Sequence, residues 1–201
     1  MPDVKHFDPE VVLDSVEELF WRRGVSTTGV QDIVTATGVN RSSLYATFGG
    51  KRELYVAALR RYADRRSGPV LRLLAEDGRG LPAIAEFFRG LIEARCSGAH
   101  ARWGCMVTNA HAGAENDDPD VRPVLHEHHD RLRGAMCAAL ERARAAGDLR
   151  PGVVLATSAD VLATLAYGVN LRSRAGATPE ALGETVTAVL ASLATRPEEI
   201  R

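Results

Sequence analysis

Residues 28–51, TGVQDIVTATGVNRSSLYATFGGK, decide the fold of this chain. Val30 and Ile33 fall on one face of a helix, and Leu44 and Phe48 lie one turn apart on a second helix. A glycine stands between the two patterns, where a chain commonly leaves a helix. The stretch therefore predicts a helix, a turn and a helix.

The predicted caps of the two helices agree with this periodicity. Thr28 followed by Gln31 fits a capping box, which satisfies the first free N–H groups of a helix. Gly38 suits the left-handed conformation at a helix end, and Asn40 is a good N-cap for the next helix. We therefore expect the second helix to start abruptly after Asn40.

The first turn of this second helix has the chemistry of a nucleic-acid contact. It holds one positive charge and two small hydroxyls, from Arg41, Ser42 and Ser43. The helix dipole and free N–H groups attract phosphate, and an arginine can reach guanine acceptors in the major groove. A DNA-binding helix-turn-helix uses its second helix in this way, and an ordinary helical hairpin is the alternative.

From Phe20 to Tyr55 the chain resembles the amino-terminal domain of the TetR family of bacterial transcriptional repressors. The matching positions, in order and at the family's spacing, are Gly24, Thr28, Val30, Asp32, Ile33, Gly38, Val39, Leu44, Tyr45, Phe48 and Lys51. Thr47 departs from the family, which usually has an aromatic there that touches phosphate. Gly49-Gly50 likewise replaces the usual Pro-Ser pair.

The resemblance implies a homodimer that binds a palindromic double-stranded operator and responds to a small-molecule effector. We expect DNA contacts from Thr28, Gln31, Arg41, Ser42, Ser43, Tyr45, Thr47 and Lys51. Arg41 and Ser42 are predicted mainly at base edges, and Thr28, Tyr45 and Lys51 mainly at phosphates. A dimer suits this reading, because one short helix reads few base pairs.

The composition is that of a folded protein that needs no disulfide cross-links to stabilise it. The chain has 201 residues, 45% of them hydrophobic, and its three cysteines have no paired spacing. A reducing compartment is therefore expected rather than a disulfide framework. No apolar run reaches bilayer length, and the first residues lack the apolar core of a signal peptide, so we expect a soluble cytoplasmic protein.

The net charge of −1 conceals an asymmetry. Over residues 25–66, lysines and arginines outnumber aspartates and glutamates by seven to three. This predicts a positive field beside the motif, as a protein that binds a phosphate backbone requires. The pair Arg60-Arg61 is also typical of a plain solvated helix face.

Helix signals dominate the rest of the chain, and the fold class is predicted as all-α with about nine helices. A capping residue precedes proline at Asp8, Asp118 and Thr178, so helices are expected to start there. The predicted spans are 9–23, 51 onward with a break at 67–69, 81–96, 104–114, 119–146, 153–175 and 179–194. We expect a helix-turn-helix domain over 1–50 and a ligand-binding and dimerisation domain over 51–201.

The last two predicted helices offer a dimer interface. One carries the apolar stripe Leu182, Val186, Val189, Leu190 and Leu193, and the other the small residues Ala156, Ala159, Ala163, Ala166 and Gly168. Together they fit half of a four-helix bundle across a two-fold axis, as in the dimers that the resemblance implies. Periodicity alone does not separate this from a core within one chain.

A ligand site is expected in the central segment, where large apolar side chains are accompanied by a few polar ones. The candidates are Phe87, Phe88, Leu91, Trp103, Cys105, Met106, Asn109, His129, Tyr167, Asn170 and Leu171. Simple core packing is the alternative for each aromatic among them.

The segment 104–109, Gly-Cys-Met-Val-Thr-Asn, resembles the Gly-Cys-Leu-Leu-Val-Asn segment of a TetR subgroup, some of whose members sense electrophiles through the cysteine. Cys105 would begin a helix, where the dipole makes a thiol more reactive, but free cysteine is also among the most buried residue types. His126, His128 and His129 suggest a metal, yet no tight four-ligand spacing accompanies them. We expect neither a metal nor another cofactor.

These observations favour a ligand-responsive repressor, released by a small-molecule inducer or a thiol-reactive compound. No phosphate loop, nucleophile elbow or metalloprotease helix is present, so we expect no enzyme and assign no catalytic residue. Two alternatives remain. One is a DNA-architectural protein with little sequence preference, and the other is a helical carrier or enzyme with an incidental helix-turn-helix.

Overall fold

Helices account for most of residues 7–196, which are the residues that the computed structural model of the chain describes. They are α1 (Pro9–Arg23), α2 (Val30–Thr37), α3 (Arg41–Phe48), α4 (Lys51–Tyr62), α5 (Gly68–Glu76), α6 (Leu81–Cys96), α7 (Met106–Ala112), α8 (Arg122–Ala145), α9 (Leu155–Arg174) and α10 (Pro179–Leu193). A π-helical segment, Ala63–Ser67, joins α4 to α5 without interruption, and a 3₁₀ turn, Ala114–Asp117, precedes α8. If α4, the π segment and α5 are counted as one continuous rod, nine α-helical units result for the described residues. The all-α prediction is confirmed.

Several helix ends form for the predicted reasons. The Asp8 side chain accepts the N–H of Glu10 at 2.9 Å at the start of α1, and Asn40 accepts the N–H of Ser43 at 2.8 Å at the start of α3. Gly38 ends α2 in the left-handed region at φ 68°. Local side-chain chemistry therefore fixes the turn between α2 and α3.

Two predicted helix starts are wrong. The N-cap of α2 is Gly29, whose N–H donates to Asp32 at 2.8 Å, so the Thr28–Gln31 capping box does not form. Helix α8 begins at Arg122 rather than at Pro119, because Asp118 accepts the N–H of Asp120 at 2.8 Å and holds a turn there.

Two apolar cores hold the helices together. The first joins α1, α3 and α4 to α7 and the start of α8, with Phe20, Leu44, Leu59, Val107 and Leu125 all buried. The second joins α5, α6, α8, α9 and α10. The first core thus continues across residue 50, and packs the helix-turn-helix directly on the central helices.

Most residues of the two stripes proposed for a dimer interface are buried inside the chain, while Ala156 is exposed and Gly168 is half-buried. Leu182, Val186 and Leu190 of α10 are buried in the second core, as are Ala159 and Ala163 of α9. For these residues the alternative of an intramolecular core is correct. The outer faces of α9 and α10 remain exposed.

None of the helices in the described residues is long and apolar enough to cross a bilayer. The residues on which the signal-peptide prediction rests fall mostly before residue 7, outside the described part of the chain.

Candidate DNA interface and ligand cavity

The outer surface of α3 presents an arginine and a serine to solvent. Arg41 and Ser42 are exposed, while Leu44 on the opposite face is buried against α1 and α4. The Arg41 guanidinium lies 5.1 Å from the centre of the Tyr45 ring, and within the described residues no carboxylate pairs with it. Ser42 donates its hydroxyl to Asn40 at 2.7 Å, which orients the serine oxygen at the helix N-terminus. The first turn of α3 is therefore open to an anion or a base edge.

The remaining predicted DNA contacts differ in accessibility. Gln31 is exposed on α2, and Ser43 and Thr47 are half-buried on α3. Thr28 is only 1% exposed and donates its hydroxyl to the carbonyl of Gly24 at 2.7 Å. Thr28 is therefore unsuited to the predicted phosphate contact, because its side chain is used inside the loop before α2.

Lys51 also has a structural role that the sequence did not indicate. Its ammonium donates to the carbonyls of Val25 and Thr28, both at 2.8 Å. This bond pair, which we call the Lys51 clamp, ties the first residue of α4 to the loop that precedes α2. A phosphate contact is left with at most one of the three ammonium protons.

The positive field beside the motif is smaller than the residue count predicted. Arg61 is buried and pairs with Glu10 and Asp14 of α1, and Arg66 pairs with Glu17 of α1 at 2.6 Å. Acidic residues outside the counted window therefore neutralise most of these arginines. The arginines fasten α4 to α1 rather than facing a phosphate backbone.

A cavity of about 570 Å³ lies among α1, α4, α5, α6, α7, α8 and α9. Five of the predicted ligand residues line it: Phe87, Leu91, Cys105, Tyr167 and Asn170. The sequence missed several other wall residues, chiefly Trp21, Tyr62, Arg95, Thr108 and His128. Trp21 and Tyr62 were not predicted, because no pattern in the sequence shows that their helices border the cavity.

The other predicted ligand residues lie elsewhere. Phe88 is fully buried in the second core, and Trp103 packs on Trp21 and His100. His129 meets the Tyr167 hydroxyl at 3.2 Å behind the cavity wall. The rest line a separate cavity of about 260 Å³ beside α1: Met106, Asn109 and Leu171.

The histidine on the cavity wall is His128 rather than His129. His128 is 6% exposed, and burial lowers its pKa to about 4, so the imidazole is neutral at pH 7. Neighbouring positive charges from Arg131 and the other histidines act in the same direction. Within the described residues no three His, Cys, Asp or Glu side chains are grouped to hold a metal ion.

Cys105 connects the cavity to the helix-turn-helix. It is the N-cap of α7, is 3% exposed, and lies within hydrogen-bond reach of the Tyr62 hydroxyl on α4. Beside it, the indole N–H of Trp21 on α1 donates to the carbonyl of Gly104 at 2.9 Å. Helices α1 and α4 therefore touch both the cavity and the DNA-facing part of the chain.

A helix-turn-helix with an exposed recognition turn, packed directly on a helical body that encloses a cavity, defines a ligand-binding transcription regulator. The comparisons with known proteins agree. The family described as "Bacterial regulatory proteins, tetR family" matches residues 12–58, and that described as "Tetracyclin repressor-like, C-terminal domain" matches residues 80–189. The second match alone covers more than half of the chain, and the chain therefore belongs to the TetR family of bacterial transcriptional regulators.

Named relatives span nearly the whole chain. The HTH-type transcriptional repressor ComR of Escherichia coli (strain K12) is 29% identical over 180 residues, 89% of this chain and 85% of ComR. The repressor AcnR of Corynebacterium glutamicum is 25% identical over 179 residues, 89% of this chain and 88% of AcnR.

Solved structures share the fold. A cysteine mutant of the TetR family regulator CifR, complexed with operator DNA, superposes with a TM-score of 0.81 at 23% identity, over 96% of this chain and 99% of CifR. The reduced form of E. coli NemR gives a TM-score of 0.81 at 22% identity, over 93% of this chain and 97% of NemR.

Proposed function

We propose that this regulator is a repressor that binds a palindromic operator as a homodimer in the cytoplasm and leaves it when an effector occupies the central cavity. The observation that carries the proposal is the open first turn of α3, where Arg41 and Ser42 face solvent and no carboxylate of residues 7–196 pairs with Arg41. A chain that used this surface only for packing would bury it. No catalytic step is assigned to any residue.

The DNA contacts that we expect follow from the solvent exposure of each predicted side chain. Arg41 and Ser42 read base edges, because they lead the helix that enters the groove. Tyr45, Gln31, Ser43 and Thr47 contact phosphate and sugar. Lys51 and Thr28 act indirectly, since they hold the loop and α4 in place. The domain limits at 1–50 and 51–201 remain a prediction, with α4 as the connection.

The dimer is proposed to form through the outer faces of α9 and α10. A row of exposed or half-buried residues on α9 faces away from the core. It consists of Thr157, Val161, Thr164, Gly168 and Leu171. Val161 is 49% exposed and Leu171, in the last turn of α9, is 42% exposed, so the row presents apolar surface that a partner would cover. A second copy related by a two-fold axis would bury this row against itself.

Release is proposed to act through α1 and α4. A ligand in the cavity would press on Trp21 and Tyr62, and the Lys51 clamp carries a shift of α4 to the loop before α2. The effector must bind the released arrangement better than the DNA-bound one. By linkage, operator DNA weakens effector binding by the same factor.

A mobility-shift and footprinting experiment tests the proposal. The purified chain is offered the DNA upstream of its own gene and a random duplex of equal length. We expect a dimer to protect a discrete palindrome. Protection without a discrete palindrome would favour the architectural alternative, and no binding at low ionic strength would favour the carrier or enzyme.

Thiol modification is a second proposed route of release, because Cys105 lies on the cavity wall against Tyr62. Methyl methanethiosulfonate should convert the Cys105 thiol to its methyl disulfide, with methanesulfinate as the leaving group and the thiol proton passing to solvent. The enlarged side chain should displace α4. We expect operator binding to fall after treatment, and Cys105→Ser to resist. Equal inhibition of Cys105→Ser would assign the effect to another cysteine.

A further inference from the structure

The cavity wall carries one charged group that no opposite charge balances. Arg95 of α6 donates to the side-chain amide oxygen of Asn170 at 2.7 Å and to the Tyr62 hydroxyl at 3.3 Å, and its guanidinium lies 5.7 Å from the centre of the Trp21 ring. All three neighbours are neutral. Within the described residues, no carboxylate lies within ion-pair distance of Arg95.

Other charged groups on this wall differ from Arg95, because each has a partner. Arg66 pairs with Glu17, Arg79 with Asp77, and Glu86 with Arg89. A half-buried guanidinium in an apolar cavity attracts an anion strongly, because the local dielectric is below that of water. The charge on Arg95 is therefore available to a ligand.

On the same wall, two buried polar atoms have no hydrogen-bond partner among the described residues. They are the hydroxyl of Thr108, on a residue 2% exposed, and Nδ1 of His128, on a residue 6% exposed. Leaving such groups unpaired costs free energy, so native proteins usually satisfy them. Both can donate a hydrogen bond, His128 in the tautomer that carries its proton on Nδ1.

The helix packing links these three donors to one another through shared neighbours on the cavity wall. Arg95 contacts Asn170 of α9 and Tyr62 of α4, and Tyr62 reaches Cys105, one turn before Thr108 on α7. His128 is next in sequence to His129, which meets Tyr167 one turn before Asn170. A charged donor that lacks a carboxylate partner and two unpaired neutral donors therefore lie on parts of the cavity wall that share neighbours.

The rest of the cavity wall is mainly apolar, apart from charged side chains that are paired. It follows α6 back from Arg95 toward Ala83, about 18 Å at the helical rise of 1.5 Å per residue. The apolar wall residues along this path are Leu71, Leu74, Ala83, Phe87, Leu91 and Leu132. The cavity thus combines a positive charge that has no carboxylate partner with a long wall along α6 that is mainly apolar.

We propose that the effector is an amphipathic carboxylate, held by its carboxylate at Arg95, Thr108 and His128 and by its apolar body along α6. One guanidinium and two neutral donors match the single charge and the acceptor lone pairs of a carboxylate. This inference rests on the proposed effector-binding function, since it names the chemical class that the same cavity takes.

The first experiment measures binding of octanoate, 1-octanol and octylammonium to the purified full-length chain by calorimetry, with tryptophan fluorescence as a second readout because Trp21 lines the cavity. We expect octanoate to bind about tenfold more tightly than 1-octanol, the size of one charge-assisted hydrogen bond. Octylammonium should bind weakest. Equal binding of acid and alcohol, tighter binding of the amine, or no binding of the acid would overturn the proposal.

Substitutions on α6 test whether Arg95 causes the preference for octanoate over 1-octanol. Arg95→Gln should remove most of the advantage of octanoate while 1-octanol binding stays the same, and Arg95→Lys should keep part of it. Arg89→Gln is the matched control, because Arg89 is exposed on the same helix and pairs with Glu86 and Glu93. Retention of the full acid preference in Arg95→Gln, or an equal loss in Arg89→Gln, would refute the assignment.

Replacement of Thr108 by valine distinguishes a ligand contact from a purely structural role. It removes an unpaired buried hydroxyl at nearly constant volume, so the free protein should melt no lower than the wild type while octanoate binds less tightly. Unchanged octanoate affinity would exclude Thr108 from the site. Operator binding, measured separately, distinguishes the two levels of inference: a chain that binds its palindrome but no octanoate loses only the carboxylate assignment.

Discussion

Replacement of Lys51 by methionine separates a structural role from a phosphate contact. Methionine keeps most of the length of the side chain and removes the ammonium that donates to the carbonyls of Val25 and Thr28. Hydrogen bonds to a charged group contribute roughly 1.5–3 kcal/mol each when well shielded. Because Lys51 is half-buried and water can replace it at both carbonyls, we expect a loss of about 2 kcal/mol in total.

For a protein of this size a loss of 2 kcal/mol lowers the melting temperature by roughly 4–8 °C. Thermal unfolding followed by circular dichroism measures this shift. Arg60→Met is the matched control, because Arg60 is exposed on the same helix and should melt like the wild type.

The salt dependence of operator binding gives the second readout for Lys51. Each lost phosphate contact lowers the slope of log K against log salt by about 0.9. We expect Lys51→Met to melt early and to keep its slope. An unchanged melting temperature with a reduced slope would refute the clamp and restore the phosphate contact.

Three further perturbations test the site and its supports. Arg41→Ala should cost about 1–3 kcal/mol at the operator and relax its sequence preference, while binding to random duplex changes little; equal losses on both duplexes would contradict base reading. The folded chain holds the pKa of His128 at about 4 and the unfolded chain near 6.5, so stability is fully present above about pH 6.5 and is lost as the pH falls toward 4. By pH 5 the loss should reach roughly 2 kcal/mol in denaturant titrations, and His128→Asn should remove that component; an identical pH profile in the variant would refute it. Gly104→Ala should destabilise the fold more than Gly98→Ala. Both glycines have a positive φ, 69° at Gly104 and 73° at Gly98, but only at Gly104 would a Cβ meet another atom, Oδ1 of Asn109 at 2.9 Å. Equal melting temperatures of the two variants would argue against the close contact.

Local features of the fold were predictable from the sequence. The caps at Asp8 and Asn40, the left-handed Gly38 and the apolar face of Leu44 all depend on neighbours within one or two turns. Such patterns determine where a helix begins, where it ends and which face is buried. They therefore gave α1, α2, α3 and the order of the later helices correctly, apart from the start residues of α2 and α8.

Contacts between distant residues were not predictable in the same way. A charge count over residues 25–66 could not show that Arg61 pairs with Glu10, because α1 lies outside the window. A periodic stripe likewise shows that α10 has an apolar face but not which partner covers it. His128 and His129 are adjacent in the sequence, and the helical turn of about 100° between them decides which imidazole lines the cavity wall.

The continuity of the first core limits how this protein can be recombined with its relatives. The indole N–H of Trp21 on α1 donates a hydrogen bond to the carbonyl of Gly104, and Phe20 packs in the same core as Val107 and Leu125. A hybrid regulator joined at residue 50 would bring two foreign surfaces together in the middle of this core. A functional exchange of operator specificity would instead transplant only the outward side chains of α2 and α3, and leave the inward ones matched to their own body.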